Sequence, residues 1–236
     1  MSFADLAPLA DRAALYSALR QEALLDAIGG NAHRWDADLT AGTITFTPHA
    51  TPEHPVVVGA HLIATIAPEP RTLRWAWAQP NGADATVATQ LRDAGAAVQN
   101  VTLTTAEVPF PESIEGELDD WIAQAAHTVA GAAVELTGRA PYFSAPVEGG
   151  TRAVFLLDAP LPNLTVADAL TALPRVIASV PLSDPRTALW NLARLAGWNL
   201  QWTDEAFTGA IISDATASAT VRFDENARIT GIEATV

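Results

Sequence analysis

Two groups of residues in this chain have side chains and spacing suited to chemistry. Trp75 and Trp77, within TLRWAWAQP (Thr72 to Pro80), stand two residues apart, the spacing that puts both on one face of a strand. Such a ledge, joined by Tyr142 from downstream, has the area to grip an apolar or planar ligand and keeps polar edges free. It is also what core packing looks like, because strand tryptophans are ordinarily buried or at an interface. Arg74 alternates to the opposite face and could meet an anion only there. The second group is His33, His49, His54 and His61, with Asp36 and Asp38 close by. Imidazoles and carboxylates are the donors of a metal site. His61 with an acid such as Asp38 is also the pairing of a small acid–base enzyme, a hydrolase or isomerase.

The spacing argues against metal. No two histidines stand four apart on a helix, His49 and His54 lie in a proline-rich loop, and Asp36-x-Asp38 lacks the other ligands of a calcium loop. No metal or cofactor is expected. The chain has no GxSxG elbow, SxxK or GxGxxG. Asp119 with Asp120, and Asp204 with Glu205, could do acid–base work if buried together. Adjacent acids at helix starts and turns ordinarily face water.

Composition narrows the field further. The formal net charge is −14, and all 13 basic residues are arginine. Without lysine there is no Schiff-base amine, no pyridoxal-phosphate anchor and no P-loop lysine. The charge repels a phosphate backbone, so no nucleic-acid partner is expected. There is no cysteine, which removes disulfides, thiolate nucleophiles and the common zinc sites. The first 20 residues carry Asp5 and Asp11 and lack a basic start and a continuous apolar run, so they do not read as a signal peptide. No apolar run is long enough to span a membrane. A cytoplasmic, soluble protein is the expectation.

The elements that must position these residues are legible from periodicity. A helix is predicted from about Ala4 to Ile28, stopped by Gly29 and Gly30. Trp35 and Thr43 to Thr47 flank a turn at Ala41 and Gly42 and read as a hairpin. VVVGAHLIATI has apolar residues at every even position from Val56 to Ile66, which predicts one core face. The tryptophan strand follows. Asp84 is placed to cap a helix with Val87, Leu91, Ala94 and Val98 on one face. Another helix is predicted from near Ser113 to Leu136, stopped by Gly138, and then a hairpin turning at Glu148 to Gly150. Leu161 to Leu164 is the predicted boundary between an N-terminal body, 1–160, and a smaller C-terminal unit, 161–236. In the latter, Thr165 and Asp168 form a capping-box-like start, and Pro174 predicts two short helical pieces. Asp184-Pro185 starts a helix that Gly197 ends, and four short segments then describe an antiparallel meander.

Shifting the chain by 167 residues aligns Gly30 with Gly197, Trp35 with Trp202, Asp38 with Glu205, Gly42 with Gly209 and Ile44 with Ile211. This reads either as two copies of a helix-plus-meander unit or as the chance recurrence of glycine stops and strand tryptophans. Under the first reading Trp202 and Glu205 are equivalent to Trp35 and Asp38.

Trp35, Asp38, Gly42, Trp75, Trp77, Gln79, Pro80, Gly138, Tyr142 and Phe155 together resemble the pattern of an uncharacterised bacterial family of unknown function. That pattern is a helix, a hairpin with Trp-x-x-acid and glycine, a strand of alternating tryptophans ending in a polar residue and proline, and a glycine–tyrosine segment before a strand. The resemblance spans Ala4 to Pro160, with Gln79 where the pattern has asparagine. It implies a shared fold and no chemistry.

The expected fold is α+β, with antiparallel sheets packed on helices. The expected function is non-catalytic binding of a small ligand or protein, with Trp35, Asp38, His61, Arg74, Trp75, Trp77, Tyr142, Trp202 and Glu205 as candidate contacts. The acid–base enzyme is the alternative, and self-association is a third reading.

Overall fold

The computed structural model describes residues 3–79 and 84–235. The fold is α+β, with two antiparallel sheets and six α-helices among the described residues. The chain groups into two compact units: Met1–Ala10 with Ala23–Pro160, and Asp11–Glu22 with Leu161–Val236. The first helix, α1 (Ala7–Ala27), therefore lends its middle residues to the second unit. Pro8 opens it, and Gly29 and Gly30, at φ +77° and +87°, end it. Among the described residues no helix is long and apolar enough to cross a membrane.

In the first unit β1 (His33–Asp38), β2 (Thr43–Pro48), β3 (Val56–Ala67) and β4 (Thr72–Trp75) follow one another as a meander. Then come α2 (Thr86–Ala97), the single turn α3 (Val101–Thr104), β5 (Glu107–Pro109), which pairs with β4, and α4 (Leu118–Thr137). The hairpin of β6 (Tyr142–Pro146) and β7 (Arg152–Asp158) completes the sheet, β7 lying antiparallel to β3. Opposite β7, β3 pairs with β2 through Val56 to Gly59 and with β4 through Ala64 to Ala67.

A bulge lies between these two halves of β3. Leu62 pairs with Phe155 and Ala64 with Val154, so two steps on β3 match one on β7. Val58, Ala60 and Leu62 thus share a side with Phe155 and Leu157, whereas Ala64 and Ile66 share the other side with Val154. The even residues of β3 do not form the single core face that strict alternation predicts. Ahead of the bulge they join Ile44 and Phe46, both buried, and the edge-to-face rings of Phe46 and Phe143. After it they join Leu73 and Trp75. The helix α4 lies on this second side, since His127 on it meets Tyr142, the register partner of Leu156.

The tryptophan segment departs from its predicted form. The strand stops at Trp75 and Ala76–Ala78 turns in a 3-10 helix, so Trp77 leaves the strand face. Trp75 is fully buried, and its indole N–H donates to the Thr102 carbonyl at 3.0 Å. Pro80 lies outside the described residues. In α2 the buried face is Val87, Ala88, Leu91 and Gly95, and Val98 is exposed. The face turns to Gly95 because α3 packs there: a Cβ on Gly95 would lie 2.4 Å from Leu103 Cβ. The next helix, α4, starts at Leu118, beyond Ser113, because Gly116 sits at φ +76°, and Gly138 at φ +70° stops it.

In the second unit α5 (Val166–Ser179) is one helix with Pro174 inside it, where two pieces were predicted. Burial of Val166, Leu173 and Val176 on one face, each worth about 1.5–3 kcal/mol, outweighs the roughly 3 kcal/mol cost of an internal proline. Thr165 Oγ1 accepts from the Asp168 N–H at 3.1 Å, and Asp214 Oδ2 accepts from the Val166 N–H at 2.8 Å. Then come α6 (Pro185–Ala196), closed by Gly197 at φ +75°, and the meander β8 (Asn199–Trp202), β9 (Gly209–Ser213), β10 (Ser218–Phe223) and β11 (Ile229–Thr235). The Trp198 indole donates to the Leu164 carbonyl at 3.0 Å, which ties the start of this sheet to the segment before α5.

Trp75 gives a direct test of the core. Trp75→Phe, which removes the N–H donated to Thr102, is expected to cost about 1–3 kcal/mol, and Trp75→Ala about 3–5 kcal/mol. Urea denaturation measures both; a loss well under 1 kcal/mol for the alanine variant contradicts this core placement.

Candidate functional site

A cleft with a largely aromatic wall lies in the second unit, between α6 and the loop joining β8 to β9. Asp184 caps α6, with Oδ1 accepting from the Arg186 and Thr187 N–H groups at 3.1 and 3.2 Å and Oδ2 from the Thr187 hydroxyl at 2.5 Å. The helix buries Ala188, Leu189, Leu192 and Ala193, so Trp190 stands outward and is 47% exposed. Across from it, residues 203–208 fold about Asp204, whose carboxylate accepts from the Ala206 N–H at 2.9 Å, the Thr208 N–H at 3.1 Å and the hydroxyls of Thr203 and Thr208. Those bonds hold Phe207 at φ +56°, a conformation a bulky side chain adopts only under constraint. Its ring is 46% exposed and meets Trp202 edge-on, with centroids 5.1 Å apart. Asp184, Arg186, Thr187, Trp190, Trp202 and Phe207 line a cleft of about 260 Å³.

The rim carries both signs of charge. Partial burial pushes the Asp184 carboxyl up, but the Thr187 and Arg186 hydrogen bonds and the Arg186 charge outweigh it and hold it below the usual range. The Arg186 guanidinium lies 5.6 Å over the Phe223 ring and donates to the Asp224 carbonyl at 3.1 Å, while its Nε is buried without a partner. Arg194 lies over Trp190 at 5.8 Å. The Thr208 hydroxyl, ahead of the other donors, brings the Asp204 carboxyl down to about 2.

Of the residues singled out in the sequence, Trp202 is on this wall. Glu205 is exposed on the loop beside Asp204, and Asp204 rather than Glu205 holds the turn. The corresponding acid of the first hairpin is Asp38, whose Oδ1 accepts from the Thr40 and Ala41 N–H groups at 2.9 Å. The two hairpins differ in register, since Trp35 pairs with Phe46 and Trp202 with Ala210, three positions away from the alignment that a shift of 167 requires.

The others do not converge. Trp35 is half-buried against Phe143, with centroids 5.5 Å apart. Arg74 forms an exposed ion pair with Glu107. Trp75 is core and is corrected as a ligand contact, because its ring has no exposed surface. Trp77 is half-buried beneath the Arg92 guanidinium at 5.5 Å, its indole nitrogen buried without a partner. Tyr142 bonds His127 at 2.8 Å, and burial pushes its hydroxyl up to about 12. The carboxylate against His61 is Asp158 at 2.7 Å, not Asp38, which is engaged in its own turn. Arg139 takes the other Asp158 oxygen at 2.6 Å. Burial raises the Asp158 carboxyl, but the His61 hydrogen bond and the Arg139 charge outweigh it and leave the carboxyl lowered. Among the described residues no three His, Cys, Asp or Glu side chains group as a metal site requires.

The sequence reading missed Asp184 and Arg186 as cleft residues, and Trp190 and Phe207 altogether. Trp190 had a signal: with apolar residues at 188, 189, 192 and 193, it falls on the polar face of an amphipathic helix. Phe207 had none, because its exposure comes from the fold of the loop.

The Asp204 turn predicts an acid response. Its carboxyl titrates lower in the folded chain than the usual value of about 3.9, so the stability it contributes is complete above that value and is lost as pH falls through about 2. Asp204→Asn is expected to lower stability at pH 7 and to match the unsubstituted protein in the most acid samples, measured by denaturation across pH. A difference between the two that does not change with pH refutes the role given to this carboxylate.

Comparison with curated proteins and with solved structures finds no match. The family model that matches is described as a family of unknown function, DUF6882, and covers residues 7–160, from the start of α1 past the end of β7. The cleft residues lie beyond that stretch. With well over half its length matched, the chain belongs to the family of unknown function DUF6882.

Proposed function

We propose that this is a non-catalytic binding protein whose contact site for a small ligand is the cleft walled by Trp190, Trp202 and Phe207. The observation that carries this is the pair of exposed aromatic rings, Trp190 and Phe207, that line one concave surface. Single exposed apolar side chains are ordinary, whereas several converging on a cleft that also holds a carboxylate and a guanidinium are the composition of a ligand site. A backbone held at positive φ to present one of those rings supports the same reading.

Binding is testable through the indole N–H signals of Trp190 and Trp202 in a nuclear magnetic resonance screen of small fragments. A hit is expected to shift both. Trp190→Ala and Phe207→Asn should weaken it by about tenfold or more and leave thermal stability nearly unchanged. Asparagine suits position 207 because it tolerates positive φ. Hits that persist undiminished in both variants sink the assignment.

A second reading, the small acid–base enzyme, rests on the 2.7 Å contact of His61 with Asp158, the geometry by which a carboxylate orients an imidazole. It requires hydrolysis or isomerisation of a small substrate that His61→Ala abolishes without unfolding the chain. Turnover unaffected by that change rules it out.

A further inference from the structure

We propose that the ligand of the cleft is a neutral sugar, one pyranose ring stacked on the aromatic wall with its hydroxyls at the Asp184–Arg186 rim. This rests on the cleft being the binding site and adds the class of ligand. Size is the first constraint. At about 260 Å³ the cleft falls just below the roughly 300–1,000 Å³ of pockets for drug-sized ligands, so it suits one ring better than a dinucleotide or an extended peptide.

Charge is the second. The same rim presents the Asp184 carboxylate and the Arg186 guanidinium, so a ligand with a full charge of either sign meets a like charge beside its partner. The formal net charge of −14 disfavours anions further.

The third constraint is the count of hydrogen-bonding positions. Asp184 Oδ1 already accepts two backbone N–H groups and Oδ2 one hydroxyl. A carboxylate has about four acceptor positions, which leaves one on Oδ2. Thr187 has given its proton to Asp184 and keeps acceptor capacity. The Arg186 guanidinium has about five N–H donors, one of them directed to Asp224. A complementary ligand must therefore donate to the carboxylate and accept from the guanidinium on the same rim. Neighbouring ring hydroxyls do both, and the C–H face of the same ring is apolar enough to lie on an indole. The Arg194 guanidinium lies over one face of Trp190, so the opposite face is the one available for stacking.

The test titrates the full chain with methyl glycosides of glucose, galactose, mannose and N-acetylglucosamine, and in parallel with choline and with uncharged nucleosides. The indole N–H signals of Trp190 and Trp202 are the readout. At least one glycoside is expected to shift both signals saturably. Trp190→Ala should abolish that response, and Asp184→Asn should weaken it tenfold or more while still capping α6, since asparagine caps as well as aspartate. Shifts with choline or nucleosides and none with any glycoside overturn the sugar assignment and leave the binding site standing. No shift with any probe overturns both. Glycoside shifts that survive both substitutions place the sugar elsewhere and overturn the assignment to this cleft.

Discussion

The bulge in β3 is the constraint on which the first unit depends. A twelve-residue strand of alternating apolar residues would otherwise bury one face along its whole length. With two residues set against one of β7, the strand presents Val58, Ala60 and Leu62 to one side and Ala64 and Ile66 to the other. That change lets β2 and β4 occupy the same edge of β3 in succession while their buried residues, Ile44 and Phe46 on one and Leu73 and Trp75 on the other, point in opposite directions. It also explains why every residue from Ala153 to Leu157 of β7 is buried, since that strand has apolar neighbours on both faces.

The acidity of the chain has a structural use. Asp38, Asp84, Asp184, Asp204, Asp214 and Asp224 each accept backbone N–H groups of the turn or helix start that follows them. A carboxylate satisfies these donors more strongly than a neutral side chain, and these six acids are employed this way. The net charge thus follows partly from how turns are closed, and it sets the sign of ligand the surface attracts as a secondary effect.

Local signals in the sequence were sufficient for most elements. Asp184-Pro185 and Gly197 bounded α6, Gly138 ended α4, and the final meander followed from turn spacing, because caps and turns act over a few residues. What could not be read locally was anything set by pairing between distant strands. The bulge exists only once β7 lies beside β3, and the His61–Asp158 contact joins residues 97 apart. Two tryptophans at strand spacing suggested a ledge, but a 3-10 turn separates them and Trp75 is core. The aromatic wall of the candidate site instead comes from one residue on a helix, one at the end of a strand and one within the loop that follows it, which no single periodicity marks.

The Asp214 contact joins elements far apart in sequence. This residue sits in the turn between β9 and β10, and its carboxylate takes the first N–H of α5, while the Thr216 hydroxyl of the same turn takes the next at 3.5 Å. A frayed first turn in α5 would thus take the Asp214 carboxylate's helix partner away, and a distorted turn would take these two acceptors from the helix donors. Opening either element breaks hydrogen bonds of the other. Helix start and sheet turn are therefore coupled, because loosening either one removes hydrogen bonds that the other contributes.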